Sequence, residues 1–182
     1  TNQAAYESSS NLVGYWRMGS GTLDSYPLIA DQTNATLGSE LVTNGDFATD
    51  TGWTKGTGTT ISSGVANITI ASSGSSPLSQ SGGIFVSGKT FKITFTISNY
   101  SSGSIAVSNV SPTTYRSANG TYTLYGIGAG GDFLFFSSGF VGSVSNISVK
   151  QVNGNPAIMT NQTSSDIENG SPYANIVQNG TF

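Results

Sequence analysis

Tyr115 and Arg116, with Tyr122 and Tyr125 a few residues on, form the densest group of chemically useful side chains in this sequence. Tyr100 and Trp53 add two further aromatics. A flat ring can stack on the apolar face of a pyranose, and Arg or Asn beside it can bond the hydroxyls. On Thr121 to Ile127 strand alternation puts Tyr122 and Leu124 on one face. Tyr125 falls on the other with Thr121 and Thr123, and a Thr-rich face is expected outside, so Tyr125 is the outward aromatic. The five glycan-contact candidates are therefore Tyr115, Arg116, Tyr125, Tyr100 and Trp53.

Other chemistry is scarce. The chain has no Cys and no His. That removes thiolate and imidazole nucleophiles, the usual base near neutral pH, and most zinc, copper and iron sites. Between residues 39 and 152 the carboxylates are Glu40, Asp46, Asp50 and Asp132. Glycoside hydrolysis needs two of them across a cleft, and turn-borne acids give no such pairing, so no enzyme activity is expected. Four Lys and two Arg against nine acids leave a net charge of −3. This cannot neutralise a row of phosphates, so nucleic acid is not an expected partner. No apolar run has the length of a membrane helix, and membrane insertion is not expected.

The elements that must position these side chains are strands. Charged residues are 8% of the 182, and Gly supplies 24 of them, against a usual charged fraction of roughly a quarter. Nine Phe and eight Tyr are too many for a disordered polar chain. Phe91, Ile93, Phe95 and Ile97 alternate with Lys92, Thr94 and Thr96, the cleanest strand pattern present. Val65 to Ile70 alternates with Ala66, Ile68 and Ile70 inward, Ser104 to Asn109 with Ile105 and Val107 inward, and Val144 to Val152 with Ile147 and Val149 inward. Thr121–Ile127 and Asp132–Ser138, joined by Gly128 to Gly131, read as a hairpin. Phe135 and Phe136 are adjacent, so they face opposite ways. No window has helical periodicity. Short strands with one apolar face predict an all-β fold, an antiparallel jelly-roll sandwich with extended flanking segments.

One stretch occurs twice. Leu41-Val42-Thr43-Asn44-Gly45-Asp46-Phe47 aligns without a gap on Ile176-Val177-Gln178-Asn179-Gly180-Thr181-Phe182. Two readings stand: coincidence in a chain rich in Asn, Gly and Thr, or one period of a tandem array. Ile158 to Thr163 also parallels Leu28 to Thr33, on the same side of the motif. The first copy, Leu41 to Phe47, is expected to be the opening strand of the sandwich.

Several stretches resemble known families. Leu12-Val13-Gly14-Tyr15-Trp16 and its Gly- and Asp-bearing sequel are similar to the opening strand of laminin-G/concanavalin-like domains. Asn44-Gly45-Asp46-Phe47 with Gly52-Trp53, then Val86 to Phe95, then Gly142 to Val149 resemble, in order, the motifs of family 4/9 carbohydrate-binding modules. That resemblance implies a jelly roll over 39–152, with 1–38 as lead strand and linker and 153–182 as connector and first strand of a following repeat. It also implies core packing for Trp53, since the Gly-Trp position in these modules is usually structural. Some members hold a structural calcium with a carboxylate from the final strand. Here Ser145-Asn146 stands at that place, and Asp46 alone is a poor calcium site, so no cofactor is expected. The jelly roll, the lead and the connector Met159 to Gly180 together are similar to repetitive structural proteins of tailed phages from marine and other environments.

These readings imply a non-enzymatic module of a phage fibre or surface decoration, on the virion surface or otherwise extracellular. Its expected partners are copies of itself or neighbouring repeats in a homo-oligomeric assembly, and cell-surface polysaccharide. The alternatives are a glycan-binding module of a secreted bacterial polysaccharide-active protein and a subunit of a self-assembling extracellular filament.

Overall fold

The computed structural model describes residues 36–70 and 73–154, and the backbone pairing of 28–29 with 157–158. The chain divides into two units, one of residues 37–152 and one gathered from 1–36 and 153–182. In the second unit β1 (Leu28–Ile29) pairs antiparallel with β12 (Ala157–Ile158), and Asn153 N donates to Thr36 O at 2.9 Å. The expectation for Leu12 to Met18 lies outside the described residues, as do those for Met159 to Phe182.

The larger unit is all-β and antiparallel, as its alternation predicts. In chain order its strands are β2 (Leu37–Glu40), β3 (Thr54–Lys55), β4 (Thr59–Ser62), β5 (Val65–Thr69), β6 (Ser73–Ser75), β7 (Leu78–Phe85), β8 (Thr90–Val107), β9 (Val110–Ser111), β10 (Gly120–Gly128) and β11 (Gly131–Val152). The main path runs β3-β7-β11-β8-β10-β9. The free edge of β11 is lined in turn by β7, β6, β5 and β2, and β4 pairs with β5.

Two strands are longer than the sequence pattern indicates. Phe91–Ile97 and Ser104–Asn109 read as separate strands, yet β8 runs through both. Asp132–Ser138 and Val144–Val152 likewise merge into β11. Single residues in left-handed conformations turn these strands without ending them: Asn99 (φ 51°) and Gly103 (φ 72°) in β8, Gly139 (φ 65°) and Asn146 (φ 52°) in β11. Gly tolerates this conformation freely, and Asn does so better than most residues.

The bends fold the β8–β11 ribbon onto itself. Phe135 pairs in register with Val107 at one end of the ribbon, and Phe95 lies between Thr94 and Thr96, paired with Ser148 and Ser145 at the other. Twelve residues of extended strand span about 40 Å, yet the Phe95 and Phe135 rings meet edge-on at 5.3 Å. The two halves therefore face each other as layers with the core between them. Aromatic contacts continue through it: Phe133 touches Phe135 at 5.1 Å, Trp53 at 5.7 Å and Phe85 at 6.1 Å, and Phe85 meets Phe91 at 5.1 Å. Each such pair contributes about 0.5–1.5 kcal/mol beyond burial. Phe136, on the opposite face from Phe135, is half-buried.

Two local expectations are corrected. Gly128 to Gly131 does not close a hairpin, because β8 lies between β10 and β11 in the sheet. The glycine link is instead stitched to other loops: Gly128 N donates to Lys89 O, Gly88 N to Gly128 O and Ala129 N to Asn109 O. The chain thus leaves β10 and enters the ladder with β7. Leu41 to Phe47 is a turn-rich segment after β2 and not a strand. Asn44 and Phe47 adopt φ values of 52° and 54°, incompatible with a regular extended ladder.

Candidate functional site

The predicted aromatic cluster sits at the end of β10 and in the loop that precedes it. Arg116 forms a bridge with Ile105, N to O at 2.8 Å and O from N at 3.0 Å, and so extends the β8 edge. Its guanidinium carbon lies 5.1 Å from the centre of the Tyr122 ring, a cation–π distance. Tyr122 in turn packs on Phe95 at 5.6 Å, and its hydroxyl donates to Ala118 O at 2.8 Å. Arg116 therefore caps an open end of the core. Its Nε is buried without a hydrogen-bond partner among the described residues.

Tyr100 is held on the same end. Its hydroxyl donates to Gly103 O at 3.0 Å and its amide to Asn119 Oδ1 at 2.9 Å, while its ring lies 6.2 Å from Phe140. Both polar ends of this residue are spent on the β8 bend. Tyr115 alone of the candidate aromatics faces solvent, at 46% exposure. It immediately precedes the Arg116 bridge, in the loop that leads into β10.

Tyr125 is corrected. It lies on the same face as the exposed Thr121 and Thr123, as expected, but it is 7% exposed. The neighbouring strand β9 pairs with β10 just beyond it, Ser111 opposite Ile127 and Val110 opposite Gly128, so β10 is not a bare edge at this end. Strand alternation gives the face but not what another segment lays across it. Trp53 is buried as expected. Its Nε1–H donates to Asn44 O at 2.9 Å and its ring lies 5.3 Å from Phe47. The candidates do not converge on one binding platform.

What the outer side of β10 and β8 does present is a row of hydroxyls. Thr121 stands opposite Thr96 and Thr123 opposite Thr94, with the Thr96 and Thr121 Oγ1 atoms 2.9 Å apart. Ser148 pairs with Thr94 on the far side, and Tyr125, Lys92, Lys150 and Glu40 form the next row across four strands. The outward Thr positions were legible in the sequence; their alignment across strands was not, because register depends on the β10–β8 pairing. Such a face can donate and accept hydrogen bonds along its length.

The carboxylates are occupied one by one. Glu40 accepts from Val149 N at 2.6 Å and Ser148 Oγ at 2.5 Å. Asp132 accepts from Gly82 N and Gly83 N, both at 3.1 Å. Asp50 pairs with Lys55 at 2.5 Å. Asp46 Oδ1 accepts from Ala48 N at 3.3 Å in a local turn. Among the described residues no three acidic, His or Cys side chains gather as a metal site. Asp46 with Ser145 and Asn146 therefore does not fit the six to eight oxygens that calcium takes.

No protein-family model matches the chain, and neither a curated protein nor a solved structure does.

Proposed function

We propose that this chain is a non-enzymatic structural module of a phage fibre or virion surface decoration. The observation that carries the reading is how its reactive groups are used. The four carboxylates of the domain are each bonded to backbone, hydroxyl or a neighbouring Lys, and the candidate aromatics other than Tyr115 are packed against the fold. A side chain that holds the backbone is not free to act on a substrate. The surface that remains is hydroxyl-rich and weakly charged. The ordered motifs similar to family 4/9 jelly rolls, with flanks similar to repetitive phage proteins, add the virion setting and the self-copies as partners. Immunogold electron microscopy of purified particles tests it: label at regular positions on fibre or capsid is expected. Label confined to cell filaments, or protein recovered only in free secreted form, would overturn it.

A second reading, contact with cell-surface polysaccharide, is favoured by Tyr115 and by the aligned Thr94, Thr96, Thr121 and Thr123. A single exposed ring and a hydroxyl row suit weak, repeated contacts with a neutral glycan, made strong by many copies. On polysaccharide arrays presenting the module multivalently, Tyr115→Ala is expected to lower retention at least several-fold. Retention unchanged by Tyr115→Ala and by Thr94→Val/Thr123→Val, or no retention at all, removes this reading and leaves the structural one.

A further inference from the structure

We infer that Ile176–Phe182 is a second copy of the segment that anchors this fold, able to seat a further domain of the same architecture. The argument is the match between what is repeated and what the structure requires. Val42 is 5% exposed and Phe47 2%; Val177 and Phe182 repeat them. The Asn44 side chain donates to Thr49 O at 2.8 Å and Thr51 O at 2.7 Å, from a backbone at φ 52°. Its carbonyl accepts from Phe47 N and Trp53 Nε1. Only Asn combines that clamp with ready access to the left-handed region, and Asn179 repeats it. A Cβ at Gly45 would lie 2.0 Å from Ile147 O, and Gly45 O accepts from Ile147 N at 2.9 Å. Gly180 repeats the one residue that fits there.

The three positions that differ make the opposite point. Leu41 is 39% exposed and is held through its backbone N, which donates to Val149 O; Ile176 keeps the position aliphatic. Thr43 is exposed and is held through its backbone N and O by the Gln80 amide, at 2.8 and 2.9 Å, so Gln178 is no obstacle. Asp46 is exposed and caps a turn through Oδ1, a task open to a Thr hydroxyl as well, so Thr in its place is no obstacle. Identity falls on the side chains that the fold demands and change falls on those it does not. Compositional coincidence would not sort them so. The partner is thus a domain of this same fold, and the inference holds for a secreted protein as well as for a virion.

The test installs the second copy in place of the first, as Leu41→Ile/Thr43→Gln/Asp46→Thr in the full chain. The expected melting midpoint lies within about 3 °C of wild type, the size of shift that a few tenths of a kcal/mol produces. Asn44→Ala and Gly45→Ala serve as controls and should each fall much further. A triple variant that melts as low as the controls, or fails to fold, overturns the inference. In a second measurement, residues 48–152 are appended after Phe182. Calorimetric enthalpy of the domain transition about twice that of the original chain is expected. Loss of the gain when Ile176–Phe182 is restored to Leu-Val-Thr-Asn-Gly-Asp-Phe would show that the second copy works only by accident of the junction. A gain present only in that restored chain would overturn the inference.

Discussion

At the scale of single residues, the domain depends on a few side chains and on places where none can fit. Gly45→Ala puts a methyl 2.0 Å from Ile147 O, where the obstacle is backbone and cannot swing aside. The expected loss is about 3 kcal/mol or more, read as a lower denaturant midpoint with unchanged slope. Trp53→Phe keeps most of the ring stack but leaves Asn44 O without the Nε1–H donor. A buried carbonyl losing one of two donors costs about 1–3 kcal/mol, and equilibrium urea unfolding measures it. The candidate site was only partly legible at this scale. Trp53 was expected in the core on the strength of the Gly-Trp resemblance, and it is buried there. Tyr125 was expected outside because it shares a face with Thr121 and Thr123, yet it is buried; alternation assigns a face and cannot say whether that face stays open along the whole strand. Sequence spacing also cannot reveal that the Arg116 guanidinium rests on Tyr122, a placement known only once the chain is folded.

At the scale of elements, the folded β8–β11 ribbon decides the architecture. The ribbon strands approach closely at the bend, where a Cβ on Gly103 would lie 2.0 Å from Gly139 O at φ 72°. Gly83 has a similar φ of 63° with nothing within 4 Å of its would-be Cβ. The pair separates two costs. Gly83→Ala should lose about 1 kcal/mol from backbone conformation alone, and Gly103→Ala should lose about 3 kcal/mol or more because the clash adds to it. Equal losses in chemical denaturation would show that the bend is not a close contact. The class of fold, the inward residues of each strand and the absence of helical pattern were readable, because the period of two survives in Phe91–Ile97 and Val65–Ile70. The continuity of β8 and β11 was not. Asn99, Gly103 and Gly139 look like strand-ending turns in sequence, and only pairing across both sides keeps the ladder running through them. The same gap produced the false hairpin at Gly128 to Gly131.

At the scale of the whole molecule, the question is where the stabilising contacts lie along the chain. The buried apolar cluster runs from Val42 to Val149, and the ladder closes where Val152 pairs with Leu37. Both ends of the larger unit thus meet on one edge of β11. Seven Phe side chains are nearly or fully buried inside it, each contributing about 1.5–3 kcal/mol relative to exposure. Charge adds little: Lys55–Asp50 is an exposed pair, of a kind worth at most about 1 kcal/mol and screened by salt. It follows that residues 37–152 should fold alone. In differential scanning calorimetry this fragment should show one cooperative transition within about 5 °C of the corresponding transition in the full chain, a shift of about 1 kcal/mol. Its midpoint should move by no more than about 3 °C between 50 mM and 1 M NaCl, since only exposed pairs respond strongly to screening. A fragment that melts far lower, or loses its two-state transition, would mean that the flanks supply core contacts. A strong salt response would mean that the weakly charged surface carries electrostatic stabilisation that the exposed Lys55–Asp50 pair does not explain.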